Sequence, residues 1–160
     1  MPFNWIREGE ILASVYPEDL DYLRFLIDEG IRSVINLEGR PWPAEWMDEL
    51  EIEYLHLPVV DMSIPSPDQV ERGIDFIRKN VQRGGIMIHC IAGLGRTGTL
   101  IALFLVNEGM KPDEAMEEVR SKRPGSIQSG SQVNIIYQYY EQLERDKDLA
   151  LNLKKEKTTG

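Results

Sequence analysis

The stretch His89-Cys90-Ile91-Ala92-Gly93-Leu94-Gly95-Arg96-Thr97-Gly98 decides how this chain is interpreted. It holds the only cysteine of the 160 residues, and an arginine follows six positions later with two glycines in between. Successive backbone N–H groups in a tight, glycine-containing loop can point inward together and bind an anion. The stretch therefore predicts a phosphate-binding loop with a nucleophile at its floor.

Each residue type in this loop has a chemical task. Arg96 would clasp two phosphate oxygens through its planar guanidinium, a geometry that lysine cannot reproduce. A helix that begins near Gly95 would add the positive field of its N-terminus, and that field favours the thiolate form of Cys90. Thr97 would place a hydroxyl near the sulfur of Cys90, where it would help the sulfur to leave phosphorus in a second reaction step. His89 would support the loop by hydrogen bonding. The expected phosphate-binding residues are Ile91, Ala92, Gly93, Leu94, Gly95 and Arg96.

The loop resembles the signature His-Cys-x-x-Gly-x-x-Arg-Ser/Thr of the protein tyrosine phosphatases in their dual-specificity branch. Residues 4–145 are similar to the small single-domain members of the VHZ type and to archaeal members. The resemblance implies hydrolysis of phosphomonoesters through a phosphocysteine intermediate. It also implies that neither a metal nor a cofactor takes part.

Composition narrows the class of protein. A chain of this length with 42% hydrophobic residues predicts one domain, which we place at residues 1–146, followed by a charged tail at 147–160 that is frayed or disordered. No apolar run approaches the ~20 residues of a membrane span, and the N-terminus lacks the features of a signal peptide. With a single cysteine, no intramolecular disulfide can form, which fits the reducing, cytoplasmic compartment that we expect. For the oligomeric state, a monomer is the default expectation. The net charge of −9 argues against nucleic acid or an acidic membrane as partner.

The order of apolar patterns predicts the fold class. Aliphatic runs predict strands at residues 10–15, 33–37, 53–59 and 85–89. Amphipathic or apolar periodicity predicts helices at residues 17–29, 43–49, 66–83, 97–108, 112–122 and 131–146. Strands that alternate with helices indicate an α/β fold with a central, mainly parallel sheet and helices on both faces. The phosphate-binding loop would connect a strand to a buried helix at the carboxyl end of the sheet.

The oxygen that the thiolate displaces from phosphorus needs a proton donor, because an alkoxide is a poor leaving group at neutral pH. Our candidate is Asp61, which lies just past a strand end in the segment Pro58-Val59-Val60-Asp61-Met62-Ser63-Ile64-Pro65. The resemblance supports this choice through the place of the aspartate before Cys90 and the proline four residues after it. Two alternatives stay open: Asp61 could instead hold an Asx turn, and Asp68 could be the acid, although a carboxylate is expected anyway in a first helical turn.

The second half of the reaction requires an oriented water. Residues 123–132 resemble the family segment that performs this task, and either Gln128 or Gln132 could hold the water while Asp61 acts as base. Both glutamines could instead cap the last helix.

The neutral side chains of the loop indicate which class of substrate it binds. Ile91, Ala92 and Leu94 carry no charge, whereas an enzyme for multiply charged inositol lipids would place lysines there. We therefore expect phosphorylated proteins as substrates. The alternatives are the same chemistry on an RNA 5′-triphosphate or a phosphoinositide, and a phosphate-binding pseudo-enzyme without turnover.

Overall fold

A five-stranded sheet forms the centre of the molecule in the computed structural model, which describes residues 1–159. Within that range, six α-helices flank the sheet. The strands are β1 (Phe3–Arg7), β2 (Ile11–Ser14), β3 (Ile31–Asn36), β4 (Glu53–His56) and β5 (Gly85–His89). The helices are α1 (Leu20–Asp28), α2 (Ala44–Glu49), α3 (Pro67–Asn80), α4 (Gly95–Asn107), α5 (Pro112–Lys122) and α6 (Gly130–Thr159).

The strand order is β1-β2-β5-β3-β4, and only β1 runs antiparallel to its neighbour. His89 at the end of β5 pairs with Ser14 on one side and with Asn36 on the other. The parallel strands therefore end in the same row, and the segments that follow them leave from one edge of the sheet.

Apolar residues of the central strand alternate between two hydrophobic cores. Ile86 and Ile88 face the core formed with α3, α4, α5 and α6, whereas Met87 faces the core formed with α1 and α2. Helix α4 is buried from Gly95 to Val106, because it lies in the middle of the larger core with α3, α5 and α6 around it. This arrangement confirms the predicted α/β fold with helices on both faces of a mainly parallel sheet.

Two strand predictions differ from the structure. Strand β1 was not predicted, because it is an edge strand in which only Ile6 is buried and no apolar run marks it. The predicted strand at residues 53–59 ends at His56, shortly before Pro58, which has no N–H group to continue the ladder. The chain beyond still follows the end of β3, because the N–H groups of Leu57 and Val59 donate to carbonyls there.

The last helix is longer than predicted. It continues to Thr159, so the expected end near Asp146 is wrong. The added part keeps no core-facing pattern but contains Leu, Ala, Lys and Glu, which are good helix formers. Once a helix is nucleated, each further residue adds a hydrogen bond at little additional cost, so good formers extend it. Residue 160 of the predicted tail lies outside the described residues. In the part of the chain that the structure describes, no helix is both long and apolar enough to cross a membrane.

Candidate active site

The loop that carries Cys90 lies between β5 and α4, at the edge where the parallel strands end. Its sharpest constraint is Gly93, which has a φ of 69°. A Cβ atom there would lie 2.2 Å from the carbonyl oxygen of Ser14, far inside van der Waals contact. The loop backbone therefore packs directly against the end of β2, and only glycine fits at this position.

The sulfur of Cys90 is buried next to a hydroxyl group. Thr97, in the first turn of α4, donates a hydrogen bond from Oγ1 to Cys90 Sγ over 3.2 Å. A donor at this position stabilises negative charge on the sulfur. The structure thus brings together the predicted nucleophile, Cys90, and the hydroxyl of Thr97 that was predicted to assist the departure of its sulfur.

Arg96 is 4% exposed and lies at the junction of three segments. Its Nη1 donates to the carbonyl oxygen of Val59 over 2.8 Å, and its Nη2 lies 2.9 Å from Glu38 Oε2 and 3.6 Å from Asp61 Oδ1. The close approach of Arg96 Nη2 to Glu38 Oε2 is an ion pair outside hydrogen-bond geometry, so Glu38 Oε2 has no hydrogen-bond partner within residues 1–159. Arg96 Nε has no hydrogen-bond partner in that range either. A buried N–H group without an acceptor is costly, and a phosphate oxygen in the loop would supply one.

Asp61 lies on the rim, with its side chain 75% exposed and next to Arg96. Its Oδ1 also accepts a hydrogen bond of 2.9 Å from the N–H of Met62, a non-glycine residue with a φ of 63°. The carboxylate therefore supports its own loop and still faces solvent beside the arginine. The rival Asp68 lies in the first turn of α3, where its nearest ion-pair partner is Arg72 at 3.8 Å.

The two glutamines differ in how their side chains are used. Gln132 is fully buried, and its Oε1 accepts from the N–H groups of Gln128 and Ser129 at 2.8 and 3.1 Å. Its Nε2 donates to the carbonyl of Ser63 over 3.2 Å, which ties the start of α6 to the loop that carries Asp61. The Gln128 side chain is exposed and forms no hydrogen bond within the described residues. Both reach the loop, because a Cβ on Gly95 would lie 2.8 Å from Gln128 Oε1 and 3.2 Å from the Gln132 amide.

His89 is fully buried, and its hydrogen bonds determine its tautomer. The indole Nε1–H of Trp42 can only donate, and it lies 3.0 Å from His89 Nε2, so that nitrogen carries no proton. The proton is therefore on Nδ1, which donates to the carbonyl oxygen of Cys90 over 3.1 Å. Burial lowers the pKa of His89 to about 3. The imidazole is thus a neutral support for the loop, without a path for proton transfer to the sulfur.

Arg123 was not identified from the sequence, although it holds the outer side of the loop. It is 4% exposed, and it donates from Nε to the carbonyl of Gly93 over 2.7 Å and from Nη2 to that of Ala92 over 3.0 Å. Its Nη1 donates to Asn4 Oδ1 over 2.6 Å. Carbonyls turned outward toward Arg123 leave the loop N–H groups free to face inward. Burial lowers the pKa of Arg123, and the nearby Tyr22 and Cys90 side chains oppose that shift.

The sequence contained only weak signals for these two supporting residues. Arg123 follows a helix end, where a basic residue is expected for the helix dipole alone. Glu38 comes two residues after β3, at the edge where ligands bind in α/β sheets, and that position was the available signal. Within residues 1–159, no group of three or more His, Cys, Asp or Glu side chains is placed to hold a metal ion.

Comparison with known proteins identifies similar sequences. The model of a family described as "Swiss Army Knife protein, DSP-PTPase phosphatase domain" matches residues 1–136. Tyrosine-protein phosphatase cdc-14 of Caenorhabditis elegans is 30% identical over 139 residues, which cover 78% of this chain and 19% of that protein. Probable protein tyrosine phosphatase type IVA B of Dictyostelium discoideum is 42% identical over 84 residues, which cover 49% of this chain and 51% of that protein. The chain thus spans between a fifth and a half of the length of these relatives.

Solved structures match over almost their whole length. The crystal structure of Tk-PTP in the active form has a TM-score of 0.78 and 28% identity, with 88% of this chain and 97% of that chain covered. The crystal structure of PTPMT1 in complex with PI(5)P has a TM-score of 0.80 and 23% identity, with 92% and 99% covered. The second likeness concerns the fold alone.

Proposed function

The chain belongs to the DSP-PTPase phosphatase domain family, and from this membership we propose that it is a cysteine-dependent protein phosphatase. Its substrates would be phosphotyrosine and also phosphoserine and phosphothreonine side chains. The observation that carries the proposal is the 3.2 Å hydrogen bond from Thr97 to the sulfur of Cys90, in a loop that also buries Arg96. A nucleophile, an anion-binding cation and a donor for the departing sulfur lie within eight consecutive residues.

In the first step, the Cys90 thiolate would attack phosphorus in line with the leaving oxygen. The S–P bond forms as the P–O bond to the substrate side chain breaks, and Asp61 transfers its proton to that oxygen. Arg96 and the inward-facing N–H groups of residues 91–95 would hold the three non-bridging oxygens. The exposed carboxylate of Asp61, 3.6 Å from Arg96, supports this assignment.

In the second step, water would hydrolyse the phosphocysteine. Asp61 takes a proton from the water, an O–P bond forms, and the S–P bond breaks to release inorganic phosphate and the thiolate. Thr97 would stabilise the departing sulfur through its hydrogen bond. We assign Gln128 to orient the water, because the amide of Gln132 is already used to hold the backbone of residues 128 and 129 and of Ser63.

The surroundings of the loop support a protein substrate. The side chains of the loop between Cys90 and Arg96 are uncharged, and the exposed apolar residues Val60, Met62 and Ile91 lie in the two segments that meet at the arginine. Such a rim suits a side chain of a protein better than an RNA 5′-triphosphate or a phosphoinositide, which would recruit lysines. All proposed catalytic groups come from one chain, so a monomer would be sufficient for turnover. A cytoplasmic location is also proposed, because a reducing compartment keeps Cys90 usable.

The proposal is tested with an aryl phosphate in the presence of a chelator. We expect turnover by the wild type and its complete loss in Cys90→Ser, with binding of inorganic phosphate nearly intact. A protein that binds phosphate but never turns over would be the pseudo-enzyme instead. Activity that survives Cys90→Ser would falsify the mechanism.

Substrate range is tested with phosphotyrosyl and phosphoseryl peptides of one sequence. Hydrolysis of both is expected from the proposed dual specificity, whereas strict preference for tyrosine would restrict the enzyme to that residue. A much higher kcat/KM for a phosphoinositide or an RNA 5′-triphosphate would replace the protein substrate altogether.

A further inference from the structure

A groove of about 820 Å³ lies between α3 and α6, on a different part of the surface from the phosphate-binding loop. Its apolar lining includes Val70, Ile74, Ile135, Tyr139 and Leu143. Carboxylates lie along it, among them Asp68 and Glu71 on α3. Two arginines line it as well, Arg72 and Arg78, and Arg72 lies 3.8 Å from Asp68. Four carboxylates against two guanidinium groups leave the apolar groove with a net negative rim.

The face of α6 that lines the groove continues along the helix beyond it. Residues 135, 139, 142 and 146 line the groove, and the same alternation of four and three residues leads to 149 and 153. Leu149 and Leu153 therefore lie on the groove face of the helix, where they are 60% and 51% exposed. Leu151 is 53% exposed but points about 200° around the helix from Leu149, onto the opposite face.

We propose that two copies of this chain pair through antiparallel contact of their α6 helices, so that Leu149 and Leu153 of each copy cover the groove of the other. Because one continuous helix carries both the groove wall and the exposed leucines, a two-fold axis near Glu144 makes both contacts at once. In that register, residue 149 faces 139 and residue 153 faces 135. A second copy therefore fits this surface without any further element.

The charges of the two surfaces are complementary in the same register. Lys154 and Lys157 lie near the end of α6, and residue 157 would face residue 131 of the other copy. The start of α6 lies close to the loop before α3, because Gln132 Nε2 donates to the carbonyl of Ser63 and Ser129 Oγ to that of Met62. This places the lysines near Asp68 and Glu71. Such rim charges contribute more to orientation than to affinity, so we expect a weak and reversible dimer.

The proposal is tested on the full chain by analytical ultracentrifugation over a wide range of protein concentrations. The wild type should shift from monomer to dimer as concentration rises. The double variant Leu149→Glu/Leu153→Glu should stay monomeric, with a dissociation constant raised at least about 100-fold, because two apolar contacts are lost. Leu151→Glu is the matched control and should dimerise as the wild type does.

A charge exchange tests the register. Lys157→Glu should weaken the dimer, and Asp68→Lys in the same chain should restore part of the affinity, because the new pair has the opposite polarity. These side chains are exposed, and far-UV circular dichroism would check that each variant is folded.

Three results would overturn the proposal. The first is a wild type that stays monomeric at every concentration. The second is equal weakening by Leu151→Glu and by the double variant. The third is a monomer that binds vesicles of anionic lipid through Leu149 and Leu153, which would assign this face to a membrane. None of these readouts depends on catalytic activity, so they are independent of the proposed function.

Discussion

Replacement of Arg123 by methionine tests whether a residue outside the catalytic loop positions it. Methionine keeps much of the length and apolar bulk of arginine but donates no hydrogen bond. The substitution therefore removes the donors that hold the carbonyls of Gly93 and Ala92 at 2.7 and 3.0 Å. It leaves Cys90 and Arg96 themselves unchanged.

The size of the effect follows from these two bonds. A hydrogen bond from a charged donor contributes about 1.5–3 kcal/mol, so loss of both is worth roughly 3–6 kcal/mol before water replaces part of it. If about 2–3 kcal/mol of this holds the loop N–H groups inward, kcat/KM for an aryl phosphate should fall about 30- to 150-fold. Loss of the nearby positive charge should also slow alkylation of Cys90 by iodoacetate, because the reagent is an anion that the charge of Arg123 attracts.

The measurements are kcat/KM, the free energy of unfolding in urea, and the rate of alkylation by iodoacetate. Arg120→Met is the matched control, since Arg120 donates two hydrogen bonds to carbonyls, those of Ser126 and Ile127, and within residues 1–159 forms neither a hydrogen bond nor an ion pair with the loop. It should lower stability without changing alkylation. Relative to Arg123→Met, Arg123→Lys should restore the alkylation rate more than kcat/KM. Lysine restores the positive charge but lacks the planar guanidinium that donates to both loop carbonyls. An Arg123→Met enzyme that loses stability yet keeps wild-type kcat/KM and alkylation would refute the positioning role.

Three further substitutions give separate readouts. Gly93→Ala should lower kcat/KM at least about 100-fold, because its Cβ would lie 2.2 Å from a carbonyl oxygen at the end of β2, in addition to about 1–2 kcal/mol of backbone strain. Gly9→Ala, with a φ of 76° and nothing within 4 Å of the added Cβ, carries the strain alone and should keep activity. Asp61→Ala should slow hydrolysis of phenyl phosphate far more than that of nitrophenyl phosphate, whereas Asp68→Ala should affect neither; equal slowing of both substrates by Asp61→Ala would assign the acid elsewhere. For His89, the folded pKa of about 3 lies below the unfolded value of about 6.5, so the unfolded chain binds more protons and stability falls as pH decreases through that window. Between pH 7 and 5, wild type should lose about 2 kcal/mol more than His89→Gln in urea titrations, and an identical loss would contradict the neutral buried imidazole.

The features that can be predicted from the sequence are those set by local chemistry. The loop at residues 89–98, the capping box of Ser66 and Gln69 on α3, and the alternation of strands and helices depend on neighbours within a few positions. These features predicted the α/β class and the location of the loop. The end of α6 was misjudged, because good helix formers extend a helix without any periodic pattern that marks its limit.

The distant side chains that support the loop come together only in the folded protein. Arg123 reaches Gly93 across 30 positions of sequence, Arg96 meets Val59 across 37, and the Trp42 indole meets His89 across 47. In the sequence, Arg123 is indistinguishable from a basic residue at a helix end, and Glu38 from a solvated carboxylate. Only the parallel strands, ending in one row, bring these groups to the same edge, and burial there makes every polar group require a partner.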